Sequence, residues 1–315
     1  GGSIHIEVVN FNGAGELSVR GGHNARHSSY PSGAGGRVSI YASANSYTGS
    51  WQTGDGSSGS ASGAGTGYWQ DPNAAYGHLT VDNNGRVALE GSTPMRTVGR
   101  HSITGVDEVE PGVWRIEVAD TPWLTTDTAY DWGIDGLTVD LDASEDVSSL
   151  YLVEVNTTNT MTVHTTDDLS GVLGNDLVGV HTFETVKVLG GASVDFGEDR
   201  VIILDPANSQ VDGDAMLLSE ALTWDGSVVL DGTTWTLSNK DQSIRINGDL
   251  TLLNNAQVTA PVSQVGTQSI YALRLDITGA VTIDGTSSID VSGKGYPGDD
   301  WSGPDYVGKT RHGCH

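Results

Sequence analysis

The chain carries one cysteine, Cys314, and three phenylalanines in 315 residues. A single thiol excludes an intramolecular disulfide framework and any four-cysteine zinc site within one chain. Basic residues are scarce too: 15 Lys and Arg stand against 40 Asp and Glu, a formal net charge of −25. Phosphate backbones need clustered Lys and Arg, so nucleic acid is disfavoured as a partner, whereas divalent cations and basic surfaces suit this charge. No apolar run approaches the ~18–20 residues of a membrane-spanning helix. Residues 1–20 have no basic-then-apolar signal pattern. Hydrophobic residues make up 37%, short of the usual ~45–50%, and helical periodicity is nearly absent, which argues against thick helical cores.

Glycine is abundant instead, at 43 residues, roughly twice the usual ~7% share. Between Gly and Asn corners the sequence alternates apolar and polar residues, the mark of half-buried strands. Ser3-Ile-His-Ile-Glu-Val-Val9, Glu16–Val19, Arg37–Tyr41, His78–Val81 and Arg86–Leu89 show it first. It returns at 193–196, 200–204, 227–230, 234–237, 243–246, 249–252, 273–277, 280–283 and 288–291. Residues 2–22 and 273–293 read as copies of one unit, an alternating strand followed by a short strand ending in glycine. Short strands with Gly/Asn corners, repeated over roughly 20–30 residues, predict a parallel β-solenoid (β-helix). A β-sandwich explains the strand spacing equally well but has no need for matched units at opposite ends.

Residues 97–188 differ, with fewer glycines, longer strands and Trp114, Trp123, Tyr130 and Trp132 to anchor a core of their own. Val113–Val118, Gly136–Leu141 and the pair Leu150–Val155/Thr160–His164 predict antiparallel pairing, with Asn156-Thr-Thr-Asn159 as a hairpin loop. The expected all-β organisation is therefore solenoid over 1–96, an inserted small antiparallel β-barrel or sandwich over 97–188, solenoid over 189–292, and a Gly/Pro/Asp-rich terminal loop over 293–315. The Gly/Ser stretch 49–67 reads as a strandless surface loop.

Few motifs carry chemistry. Gly54-Asp-Gly56-Ser-Ser-Gly59 has a dinucleotide-type spacing but no helix to follow it, so it reads as flexible loop. No Walker loop, zincin helix or serine-hydrolase elbow occurs. Asp299, Asp300 and Asp305 share one Gly/Pro-rich turn, where hard oxygen ligands suit Ca²⁺, with a solvated acidic turn as the plainer reading. Asp205/Asn208 with Asp212/Asp214 form a weaker candidate of the same kind. His312, Cys314 and His315, with His23 and His27 near the other end, hold borderline ligands but fall short of a recognisable tetrahedral set. Asp140, Asp142, Glu145 and Asp146, or Asp167 and Asp168, are candidates for paired acid/base work, and more simply solvated edges. Asp195, Arg200, Arg245 and Arg274 are conceivable along a groove acting on polysaccharide. Tyr30, Tyr47, Trp51, Tyr68 and Trp69 lie in glycine-rich surroundings, where they either stack on sugars or pack against neighbouring coils. Asn156-Thr-Thr158 matches a glycosylation acceptor, although its hairpin role comes first.

Gly33-Ala-Gly-Gly-Arg-Val-Ser-Ile-Tyr41, after Gly1-Gly-Ser-Ile-His-Ile-Glu-Val8, resembles the glycine-rich units of very large bacterial surface proteins, adhesin-like β-solenoids built of tandem segments. Val291-Ser-Gly-Lys-Gly-Tyr296 is similar to the same group. The resemblance covers about two-thirds of the chain, leaves out the central segment, and transfers no functional residue. It implies a nonenzymatic structural protein of the bacterial exterior or cell surface. Solenoid ends expose strand edges, so copies are expected to associate head to tail through Gly2, Ile4 and Ile6 at one end and His312 and Cys314 at the other, growing a filament. Calcium is the expected cofactor, if any. A carbohydrate-binding or carbohydrate-active β-helix, such as a polysaccharide lyase or hydrolase, is the alternative, with surface polysaccharide as partner.

Overall fold

Period-two patterning and β-branched residues hold the first part of the chain extended. Its strands are β1 (Ser3–Gly13), β2 (Glu16–Ser18), β3 (Arg37–Tyr47), β4 (Ser50–Gln52), β5 (Thr66–Gln70) and β6 (His78–Asp82). The computed structural model describes residues 1–22, 33–56, 62–87, 92–124, 133–144, 147, 149–211, 215–239, 244–260 and 273–294. Over these the protein is all-β, 52% strand and 2% helix, with several mostly parallel sheets. β1, β3 and β5 pair in parallel, as do β2 and β4. Glycine permits the close approach of these turns: a Cβ on Gly36 would lie 1.8 Å from the Gly2 carbonyl oxygen, and one on Gly65 1.7 Å from that of Gly36. Any side chain there would force the strands apart.

Two sequence expectations fail in this region. The stretch 49–67 is not strandless, because β4 lies inside it and β5 begins there. The expected strand 86–89 is not formed at Arg86 and Val87, while Ala88 and Leu89 lie outside the described residues. The Asn84-Gly85 pair turns the chain with positive φ at both residues, and Arg86 folds back onto the buried Asp55 at 3.2 Å.

β5 and β6 run antiparallel, and the sheet changes its buried face at this joint. On β1, β3 and β5 the rows Ile4/Val38/Gly67 and Ile6/Ile40/Trp69 face one core. Across the joint those rows continue into Thr80 and His78, while Leu79 and Val81 bury the opposite side in a second core.

After β7 (Thr93–Pro94) come β8 (Arg100–Glu110), β9 (Val113–Val118), β10 (Thr138–Asp140), β11 (Tyr151–Asn156), β12 (Thr160–His164) and β13 (Asp176–Phe183). These six strands, β8 to β13, pair antiparallel in the closed order β8-β9-β12-β11-β10-β13-β8. They enclose a separate core with Ile116, Trp123, Val139, Met161 and Leu177. Asn156–Asn159 makes the expected hairpin loop, closed by Thr157 N–H donating to the Thr160 carbonyl at 2.8 Å.

The rest of the chain lays short strands on one another. They are β14 (Thr185–Leu189), β15 (Ser193–Asp195), β16 (Arg200–Ile203), β17 (Gln210–Val211), β18 (Met216–Ser219), β19 (Ala221–Trp224) and β20 (Val228–Asp231), followed by β21 (Thr234–Asn239), β22 (Ile244–Ile246), β23 (Leu250–Leu253), β24 (Gln257–Thr259), β25 (Leu275–Ile277), β26 (Val281–Ile283) and β27 (Ser288–Ile289). Three parallel stacks result, β13-β16-β19-β22-β25, β7-β15-β18-β21-β24-β27 and β20-β23-β26, while β14 joins β6 to β17. In register, like residues line up: Phe183 over Ile203, Trp224, Ile246 and Ile277, and Leu230 over Leu252 and Ile283. Trp224 and Trp235 stack inside this core with centroids 4.4 Å apart.

Candidate functional site

Most residues singled out for chemistry hold the backbone instead. Asp205 caps a 3₁₀ turn, its Oδ1 accepting from Asn208 N–H at 3.2 Å and its Oδ2 from Asn208 Nδ2 at 2.8 Å. Asp142 accepts from the Ser144 hydroxyl and amide, which holds its carboxyl below the usual range. Asp168 does the same for Ser170, with the same lowering. Asp167 accepts from the Tyr151 hydroxyl at 3.2 Å. Asn156 is buried, and its Nδ2 donates to the Leu124 and Thr157 carbonyls while Oδ1 accepts from Ile134 N–H. In the folded chain that amide nitrogen is committed and closed to a glycan. Asp299, Asp300, Asp305, His312, Cys314, His315, His23, His27, Tyr30, Glu145, Asp146, Asp212 and Asp214 lie outside the described residues.

The polysaccharide-groove candidates lie on different strands or beside them. Asp195 sits on β15 and caps the turn at Gly197. Arg200 is buried, with Nη1 donating to Asp140 Oδ2 at 2.9 Å and Nη2 to the Ala143 carbonyl. Arg274 precedes β25, where its carbonyl accepts from Ile244 N–H. Arg245 lines a cleft of about 260 Å³ with Val147, Ile202, Thr223, Asp225 and Asn247. Within it Arg245 Nε donates to Asn247 Oδ1, and Asn247 Nδ2 to Asp225 Oδ1.

A buried charged network that local spacing does not announce ties the closed antiparallel ring to the parallel stack. Asp199, fully buried, accepts from Val98 N–H at 2.9 Å, Gly99 N–H at 2.7 Å and His181 Nε2 at 2.9 Å. Gly179 makes room for it, since a Cβ there would fall 2.4 Å from the carboxylate. Beside it Arg100 bonds Glu220 at 2.5 Å. These partners come from residues about 100 apart, so only the folded chain brings them together.

No family model matches the chain, and no curated protein matches it. The strand stacks differ from their interiors at their two ends. β1 pairs only with β3, and β25, β26 and β27 each have one partner, among the described residues. The side-chain rows change exposure there. Leu252 is 0% and Val258 1% exposed, but the next residues in their rows, Ile283 and Ile289, are 44% and 39% exposed. At the other end Ile4 and Ile6 are half-buried above the fully covered Val38 and Ile40.

The aromatic candidates gather in the first part of the fold. Tyr47 donates its hydroxyl to the Gly15 and Ser50 carbonyls, and its ring meets Phe11 at 4.8 Å. Tyr68 packs against Tyr41 and donates to Gln70 Oε1, and burial, with Tyr41 adding to it, pushes its hydroxyl up to about 12. Trp69 stacks on His78 at 4.5 Å, and Trp51 covers Gly67. Trp51, Thr53, Gly67, Thr80 and Asp82 line a second cleft of about 230 Å³.

Proposed function

We propose that this chain is a nonenzymatic structural segment of an extracellular surface fibre, a parallel β-solenoid interrupted by a small inserted antiparallel β-barrel, whose copies associate head to tail. One observation carries the reading: side-chain rows that are covered within the strand stacks are uncovered in their last strands, at Val281, Ile283 and Ile289. Among the described residues each such row lacks one neighbouring strand, so each terminal strand has one edge on which a further strand could pair. A second copy laying its β1 row of Ile4 and Ile6 on the β25–β27 row meets both needs, and the contact repeats without closing. The net charge of −25 keeps lateral faces apart and makes association sensitive to cations. The carboxylates that turn backbone at Asp142, Asp168 and Asp205 favour a structural role for those residues over acid/base work.

Negative-stain electron microscopy of the purified chain, with Ca²⁺ and with chelator, tests this reading. Unbranched filaments that are lost in Ile283→Asp and Ile4→Asp variants are the expected result, and their loss on chelation would place calcium at the joint. Uniform monomers in both conditions would refute head-to-tail assembly.

A further inference from the structure

We infer that the cleft between Trp51 and the β5–β6 joint is a binding site for one ring of a neutral sugar. This goes beyond the fibre reading and does not rest on it. The cleft exists because the sheet changes its buried face where β5 meets β6 antiparallel. On one side of the joint the row Gly67/Trp69 belongs to the first core. On the other, its partners Thr80 and His78 are half-buried and belong to neither apolar core among the described residues, so a strip of aromatic and polar side chains opens beside the Trp51 ring.

Its contents match a pyranose. Trp51 is half-buried, seated on Gly67, where a Cβ would lie 2.4 Å from the indole. An indole face receives the C–H face of a sugar ring. The Thr80 hydroxyl, one Asp82 carboxylate oxygen and the Trp51 indole N–H have no hydrogen-bond partner among the described residues, while Asp82 Oδ1 is fixed by Asn84 N–H at 2.7 Å. Free donors and acceptors beside an aromatic face are what sugar hydroxyls require. Thr53 frames the floor through its hydroxyl, which donates to the Asp82 carbonyl at 3.4 Å.

Charge selects among ligands. Asp82 disfavours uronates and phosphorylated sugars, and Lys187, directly opposite Thr80 across β14, disfavours cations. Burial lowers the His78 pKa against the pull of Glu184 and Asp205, so the imidazole stacked on Trp69 is neutral at pH 7. A volume of about 230 Å³ is below the ~300–1,000 Å³ of sites for drug-sized ligands, which fits a single ring with its neighbours in solvent.

Isothermal titration with maltotriose, cellotriose, mannotriose and galactotriose, alongside triglucuronate and tetramethylammonium, is the test. Thr80→Val keeps the shape of the strand residue, and Asp82→Asn keeps the oxygen that receives Asn84 N–H, so both variants retain the fold, which circular dichroism verifies. The expected result is binding of a neutral trisaccharide, weakened about tenfold by Trp51→Ala, the equivalent of one stacking contact, and severalfold by Thr80→Val and Asp82→Asn. Absence of heat with every neutral sugar at about 10 mM, binding unchanged in all three variants, or binding of only the anionic or the cationic probe would overturn the assignment. Filament formation is read separately, so loss of one activity leaves the other intact.

Discussion

Replacing Asp199 with Ala strips the junction between ring and stack of its central acceptor. Two backbone donors, Val98 N–H and Gly99 N–H, and the His181 ring lose their partner in a site with no water access at the carboxylate. Each buried group left unsatisfied costs about 1–3 kcal/mol, so the loss of a partner by all three should cost roughly 3–9 kcal/mol. That is a large part of the ~5–15 kcal/mol that holds an ordinary domain folded. Urea unfolding followed by tryptophan fluorescence and far-UV circular dichroism reads it as a fall of roughly 1–3 M in midpoint for a slope of about 3 kcal/mol/M. Gly179→Ala gives an independent view, because its Cβ meets the same carboxylate at 2.4 Å. It should destabilise the parent chain and be tolerated once Asp199 is Ala, a coupling that a double-mutant cycle isolates. A midpoint shift below about 0.3 M for Asp199→Ala, or equal penalties for Gly179→Ala in both backgrounds, would refute the argument.

Trp235→Ala empties the space against Trp224 and should cost about 3–5 kcal/mol, with loss of the near-ultraviolet signal of the stacked pair, measured by circular dichroism and thermal melting. Tyr68 is raised from 10.0 to about 12, so the unfolded chain releases this proton first. Its contribution to stability is whole below pH 10 and is lost as pH rises toward 12, and Tyr68→Phe should flatten that alkaline decline in denaturation midpoints. His78 runs the other way: its folded pKa is lowered, so the contribution is whole above about 6.5 and is lost as pH falls through the folded value. Thermal melts of His78→Gln between pH 7 and pH 5 should show a smaller acid decline than the parent. Gly65→Ala should loosen β3 against β5, since the added methyl would lie 1.7 Å from the Gly36 oxygen, and limited proteolysis should then cut the first part of the chain before the rest.

Alternation made most strands of the parallel stacks legible, because rows such as Val201/Ile203 and Leu250/Leu252 bury every second residue. β4, β5 and β7 were hidden because glycine, threonine and serine supply no apolar rhythm, and backbone proximity at Gly36 and Gly65 takes the place of side-chain packing. β13 was hidden for the opposite reason, since Leu177 to Val180 are buried on both sides without alternation, whereas β14 does alternate, Val186 and Val188 buried around the exposed Lys187, but over only five residues. Asp140 and Arg200 stood out in the sequence, each in a different proposed role, and their partnership across 60 residues emerges only when β10 and β16 flank β13. Trp51 and Trp69 were visible as aromatics among glycines, but the reversal of the sheet face that opens the cleft depends on the antiparallel sense of β5 and β6, which residue spacing does not encode.

The pairing of β6 with β14 sets a timetable for synthesis. His78 meets Thr185 in that ladder across 107 residues, so β6 emerges from the ribosome beside β5 but with its second partner, β14, still untranslated. At about 5–20 residues per second the wait is roughly 5–20 s. During that interval Leu79 and Val81 have no Val186 or Val188 to cover them. The intervening segment shortens the gap by folding on itself, since β8 to β13 close their own circuit of hydrogen bonds and deliver β14 to within reach of β6. The inserted strands thus serve the nascent chain as a spool that brings two distant edges together, and a defect in the ring would be felt first as aggregation of the half-made protein rather than as loss of the finished one.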